Sequence, residues 1–195
     1  MVSARTCFHS LRPLLLLLIA FLSSQAAAPP GWFLAGNKPA SYDTGVDGQA
    51  SYNGHPSAYL KSKDLHIDGF GTLMQQFRAH HYLGKRVRFS AYVKSADTES
   101  WAGLWMRIDK DSKQLAFDNM LNRPIKGTTD WQKYDVVLDV PQDATGVFFG
   151  ILLGGTGQVW ISNAKFEVVG SDVQTTGGNT ASAMPDEPSN LNFDN

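Results

Sequence analysis

The amino-acid sequence predicts an all-β fold, a jelly-roll β-sandwich of two antiparallel sheets. Short runs between Gly31 and Gly170 alternate apolar and polar residues with the period of a strand. In Arg86 to Lys94, for example, Val87, Phe89, Ala91 and Val93 share one face. Residues suited to reversing a chain separate these runs, as in YNGHPS, DKDSK, NRPIKGTTD, PQDATG and GGTG. No window of helical period is long enough to compete, and many short strands at regular spacing favour a sandwich over an α/β fold.

In chain order, strands are expected at Ala58 to Lys61, Gly71 to Phe77, Arg86 to Lys94, Trp101 to Asp109, Leu115 to Met120, Gln132 to Val140, Val147 to Leu153 and Gln158 to Val169. The stretch SADTES reads as the turn between the third and fourth of these. In Gln132 to Val140, Tyr134, Val136, Leu138 and Val140 oppose Lys133, Asp135 and Asp139, a half-buried pattern. VFFGILL is apolar on both faces, which suits a central strand or one roofed by a loop. Trp101 to Asp109, WAGLWMRID, places Ala102, Leu104, Met106 and Ile108 on a core face and Trp101, Gly103, Trp105, Arg107 and Asp109 on the other.

Three segments follow from composition. Arg5 and Arg12 precede an apolar run from Leu14 to Leu22 and small residues ending at Ala28, the order of a secretory signal, so residues 1–28 are expected to be a signal peptide. The run is too short for a span of about 20 residues, which predicts an exported protein, periplasmic or secreted, with no membrane anchor after cleavage. Residues 29–170 form the sandwich domain, and 171–195, rich in Ser, Thr, Asn, Gly and Pro, read as a disordered tail. The only cysteine, Cys7, lies in the signal, so the mature chain is expected to lack disulfides. Of 195 residues 18% are charged and the formal net charge is -1, with no block of Lys or Arg, which argues against nucleic acid as a partner.

No catalytic set emerges. His55, His66, His80 and His81 match no metal spacing, and His80 and His81 would point apart on a strand. There is no G-x-S-x-G elbow, and Gly69 to Gly71 lacks the remainder of a dinucleotide loop. Asp109, Asp118, Asp135 and Asp139 lie on expected strands without being placed as a pair. Asp109 to Lys113 begins like a calcium loop but has lysine where a third oxygen ligand is needed. No metal ligand is assigned.

The remaining signal is aromatic and polar together. Trp101 and Trp105 lie four residues apart on one strand face, roughly 13 Å at the usual rise. An indole covers the apolar face of a sugar ring, and Arg107 and Asp109 beside it offer hydrogen bonds to hydroxyls. Asp118, Asn119 and Arg123 follow nearby in sequence, completing the candidate ligand-binding set. An alternative is that Asn122 to Trp131 folds back as a roof over both indoles, with Arg107 pairing Asp118 or Asp109 as a structural lock.

The stretches GWFLAGNKPASYDTGVD, GFGTLMQQFRA, WAGLWMRID, AFDNMLNRPIKGTTDWQKYDVVLDVP and GQVWISNAKFEVVG together resemble a bacterial galactose-binding-like, carbohydrate-binding-module-like β-sandwich. This accessory domain is also found attached to some transcription regulators. The resemblance implies a jelly roll without intrinsic catalysis that recognises a ligand on a sheet face or at loop ends. Related sandwiches keep a structural calcium on an acid of the final strand; Ile161 to Ala164 has no acid, so no cofactor is expected here. The function expected is a non-catalytic exported binding module for a carbohydrate or cell-envelope glycan. Alternatives are a protein-interaction or sensory domain using the same Trp/Arg face, or a small glycan-active enzyme.

Overall fold

In a computed structural model, residues 27–177 are described, and they form nine strands: β1 (Phe33–Gly36), β2 (Tyr42–Tyr52), β3 (His55–Ser62), β4 (Phe70–Arg78), β5 (Arg86–Lys110), β6 (Lys113–Asp118), β7 (Ile125–Asp139), β8 (Gly146–Gly154) and β9 (Gln158–Val169). Two 3-10 turns, Pro39–Ser41 and Ala79–His81, accompany them. All pairings are antiparallel. The fold is the all-β jelly-roll sandwich that the alternation predicts. The segment expected to be a signal peptide lies, apart from Ala27 and Ala28, outside the described residues.

One strand serves both sheets. The C-terminal half of β5 pairs β8 on one side and β6 on the other, giving a first sheet ordered β1-β4-β8-β5-β6. Its N-terminal half pairs β9 and β7, giving a second sheet ordered β2-β3-β9-β5-β7. SADTES is therefore not a reversal. The chain runs on through it with register shifts at Ser95, Thr98 and Ala102 and a left-handed Asp97 (φ 51°). Such irregularities let one strand bend from sheet to sheet without breaking.

The core lies between the sheets. Val87, Phe89, Ala91 and Val93 face Leu104, Met106, Ile108, Phe149 and Ile151 in one continuous buried cluster. Ala102, Leu104, Met106 and Ile108 are fully buried, as expected of the inner face of WAGLWMRID. Phe149 joins the layers: its ring meets Phe89 at 4.8 Å and Phe166 at 5.2 Å. Burying each large aliphatic or aromatic side chain here contributes about 1.5–3 kcal/mol before entropic costs.

Four local expectations are corrected. β1 and β2 replace what reads as irregular chain, because backbone pairing with β4 and β3 organises segments whose Gly and Asp content hides them. β6 ends at Asp118, since Met120 takes a left-handed conformation (φ 58°) that turns the chain. His80 and His81 lie in a 3-10 turn with ring centroids 3.7 Å apart, the turn bringing together side chains that a strand would separate. After Gly170 the chain stays on the domain as far as Gly177: Thr176 N–H donates to Val137 O, Thr176 Oγ1 accepts from Val137 N–H, and Arg86 donates to the carbonyls of Ser171 and Val173. These contacts satisfy the outer edge of β7, a gain that composition does not report. Residues 178–195 lie outside the described residues.

Candidate functional site

The outer face of the first sheet carries a second apolar cluster, separate from the core. Met74, Trp105 and Leu152 are buried in it, with Ala35, Phe70, Trp101, Phe117 and Phe148 packed around them. Above it runs a groove of about 370 Å³ crossing β1, β4, β8, β5 and β6. Its walls are mainly aromatic and aliphatic, and its polar side chains are Thr72, Gln76 and Arg107. Among the described residues no carboxylate lines it.

Register explains the assembly. Trp105 stands opposite Gly150, which stands opposite Met74; Arg107 stands opposite Phe148, which stands opposite Gln76. A side chain at Gly150 would run into the backbone of Leu73 and Met74, so glycine permits the close approach of β4. The Trp105 indole reaches Thr72 on β4, and its Nε1–H donates to Thr72 Oγ1 at 2.7 Å. Thr72 Oγ1 in turn donates to the carbonyl of Ile151 at 2.8 Å. The indole is thus pinned across the sheet, with its polar end satisfied in a buried setting.

Arg107 is the charged group at this surface. Its guanidinium carbon lies 4.7 Å from the Phe148 ring centroid, a cation–π arrangement, and Nη2 contacts Asp109 Oδ2 at 2.9 Å. The Asp109 side chain is only 6% exposed, whereas that of Arg107 is 39% exposed. Arg107 Nε and Asp109 Oδ1 are buried and make no hydrogen bond within the protein.

The sequence-derived set separates into two places. Trp105 and Arg107 line the groove. Trp105 is only 8% exposed, which makes it a floor rather than a free-standing platform. Trp101 is half-buried at the end of the apolar cluster beside Gly154, and Asp109 holds Arg107 from below. Asp118, Asn119 and Arg123 do not line the groove. Arg123 donates to both oxygens of Asp118, at 3.2 and 2.6 Å, and to the carbonyl of Asp135, while Asn119 Oδ1 accepts from Leu121 N–H in a turn. Burial alone would raise the Asp118 carboxyl, but Arg123, Thr176 and the Met120 N–H outweigh it and hold it below the usual carboxylate range.

The cover over the tryptophan face is not the expected roof. Ile125 to Thr129 pairs along the edge of β5, with Ile125 opposite Ala102 and Thr129 opposite Ser95. Asn119 and Met120 lean against Gly103 on that face. Trp105 is instead buried by side chains from its own face.

Sequence reasoning missed Phe33, Phe70, Thr72, Met74, Gln76, Phe117, Phe148 and Leu152. The available signal was parity: Phe148, Gly150 and Leu152 share a face of VFFGILL, as Phe70, Thr72, Met74 and Gln76 do in GFGTLMQQF. Elsewhere, the outer face of the second sheet has Tyr52 stacked on Tyr92 at 3.9 Å and near Trp131 at 5.8 Å, rings engaged with one another. Among the described residues no group of three His, Cys, Asp or Glu is placed to hold a metal ion, and no helix is long and apolar enough to cross a membrane.

No family model matches the chain. It is 44% identical over 166 residues to a Bacillus subtilis (strain 168) protein named as the uncharacterized HTH-type transcriptional regulator YbfP, covering 84% of this chain and 56% of that one. The chain thus spans about half the length of this curated relative. Among solved structures, the family 22 carbohydrate-binding module of Clostridium thermocellum Xyn10B superposes with a TM-score of 0.51 at 17% identity, covering 75% of this chain and 91% of the module. The xylan-binding domain of Paenibacillus barcinonensis Xyn10C gives 0.50 at 14% identity, covering 74% and 90%. The enzymatically active domain of bacteriophage CBA120 tailspike protein 4 gives 0.54 at 12% identity, covering 72% of this chain and 20% of that one. At these identities the likeness shows a shared fold.

Proposed function

We propose that this chain is an exported, non-catalytic binding module whose ligand is a carbohydrate or cell-envelope glycan, built on a galactose-binding-like sandwich. The observation that carries the reading is the aromatic-lined groove on the outer face of the first sheet, with Arg107 and Gln76 as its open polar groups. Sugar rings present apolar faces to aromatic side chains and hydroxyls to donors, and few polar groups suffice to orient them. A family 22 carbohydrate-binding module and a xylan-binding domain share the fold, which supports the reading by analogy. That no carboxylate of the described residues lines the groove is what favours binding over hydrolysis. Arg5, Arg12 and the apolar run ahead of Ala28 favour export.

The test is retention of the purified mature protein on immobilised glycans, with Phe33→Ala beside it. Phe33 lines the groove yet is 38% exposed, so its truncation should weaken retention several-fold and leave melting nearly unchanged. Retention by no glycan would sink the proposal. A second reading, a sensory domain that reports ligand occupancy to an attached regulator, is favoured by the 44% identity to a protein named as an HTH-type regulator.

A further inference from the structure

We infer that the groove selects a saccharide bearing a carboxylate, a uronic acid residue, over its neutral counterpart. The inference rests on the glycan-binding reading and names the ligand class of the same site. A neutral hydroxyl both donates and accepts, so a site for neutral sugars offers acceptors as well as donors. This groove is poor in side-chain acceptors. Among the described residues, Thr72 Oγ1 is committed to Trp105 and Ile151, no Asp or Glu lines the walls, and the Gln76 amide oxygen is the remaining side-chain acceptor of the lining. Arg107, by contrast, presents a guanidinium of which one nitrogen is engaged by Asp109.

A second cation stands at the same end. Arg78 shares the outer face of β4 with Gln76, and register places it opposite Gly146, itself opposite Asp109. Its Cα lies two strands and one pleat from that of Arg107, roughly 12 Å, so two extended arginine side chains can converge on one anion. Arg78 is exposed and pairs with no acidic residue among the described residues. The Phe148 ring lies over Gly146, between the two arginines, and supplies an apolar wall against which Arg107 stacks. Arg107 is paired with Asp109, whereas Arg78 has no acidic partner among the described residues and leaves a positive charge uncompensated by an ion pair where the apolar floor ends. An apolar basin ended by guanidinium groups matches a pyranose ring that carries a carboxylate, which arginine can grip in bidentate fashion.

The experiment compares a neutral xylo-oligosaccharide with the same oligosaccharide carrying a glucuronic acid branch, using isothermal titration of the mature protein at low and high salt. Free glucuronate and benzoate serve as further probes. The expected result is about tenfold tighter binding of the acidic oligosaccharide at low salt, a preference that shrinks as salt screens the charge. Arg78→Gln, which breaks no internal contact, should lose several-fold of that preference. Arg107→Lys, which keeps the charge over Asp109, should lose most of it. Equal affinity for both oligosaccharides would overturn the inference and leave the glycan reading standing. Binding of benzoate without any saccharide, or of no probe at all, would overturn both.

Discussion

Thr72→Val tests the central claim about the site, that the hydroxyl of Thr72 fixes the Trp105 indole across the first sheet. The substitution keeps shape and removes one oxygen, so its effect isolates the hydrogen bonds. In the native structure that oxygen accepts from Trp105 Nε1–H at 2.7 Å and donates to Ile151 O at 2.8 Å, with Thr72 and Trp105 both buried. Valine leaves a buried indole N–H without an acceptor, which costs about 1–3 kcal/mol. For a domain of this size a loss of 2 kcal/mol lowers Tm by roughly 4–10 °C. Urea unfolding of four proteins, native, Thr72→Val, Trp105→Phe and the double variant, forms the assay. Phenylalanine has no N–H, so Thr72→Val should cost less in its presence, giving a coupling of about 1 kcal/mol. Additivity to within about 0.3 kcal/mol would refute the pinned-indole account.

Two further outcomes probe the frame. Arg123→Met removes the partner of a buried carboxylate and should cost about 2–4 kcal/mol in urea unfolding. Because the folded-state pKa of Asp118 lies below its unfolded value, its contribution is present above the unfolded pKa and lost as pH falls through the folded one. Arg123→Met should therefore flatten the acid limb of a stability–pH curve. Burial pushes the Tyr42 hydroxyl up to about 12, although its contact with Gly71 opposes this. The unfolded chain then releases this proton first, near pH 10, and stability falls between about pH 10 and 12 by up to roughly 2–3 kcal/mol. Tyr42→Phe should abolish that slope while forfeiting the 2.8 Å bond to Gly155 O.

The parts of the fold that local alternation encodes were legible. Val87 to Val93 and Ala102 to Ile108 declare a buried face because each strand has one wet side and one dry side, and the core consists of those positions. β2 was hidden because YDTGVDGQASY spends its alternation on small and polar residues along the outer strand of the second sheet. The continuity of β5 was hidden because a strand that bends between sheets uses the same residues as a turn, Asp97 at positive φ among them. Within the site, Trp105 and Arg107 could be picked out because they break the pattern of their own strand. Their partners on β4, 33 residues away for Thr72, depend on register, which no local pattern states. Asp118, Asn119 and Arg123 show the converse. Closeness in sequence suggested a shared surface, but the turn at Met120 directs them into a knot of their own.

The position of the groove follows from one strand. On its outer face β8 presents Gly146, Phe148, Gly150, Leu152 and Gly154, glycines alternating with large residues. Opposite them β5 presents Asp109, Arg107, Trp105, Gly103 and Trp101. Each large or charged residue of β5 except Arg107 therefore faces a glycine and can lie down across β8, and the glycine of β5 faces Leu152. Trp105 does lie down, reaching β4. Arg107 faces Phe148 instead, and its guanidinium stacks over that ring. The size alternation of β8 thus sinks the indole into the floor and holds Arg107, the one groove-lining cation among the described residues, at the surface.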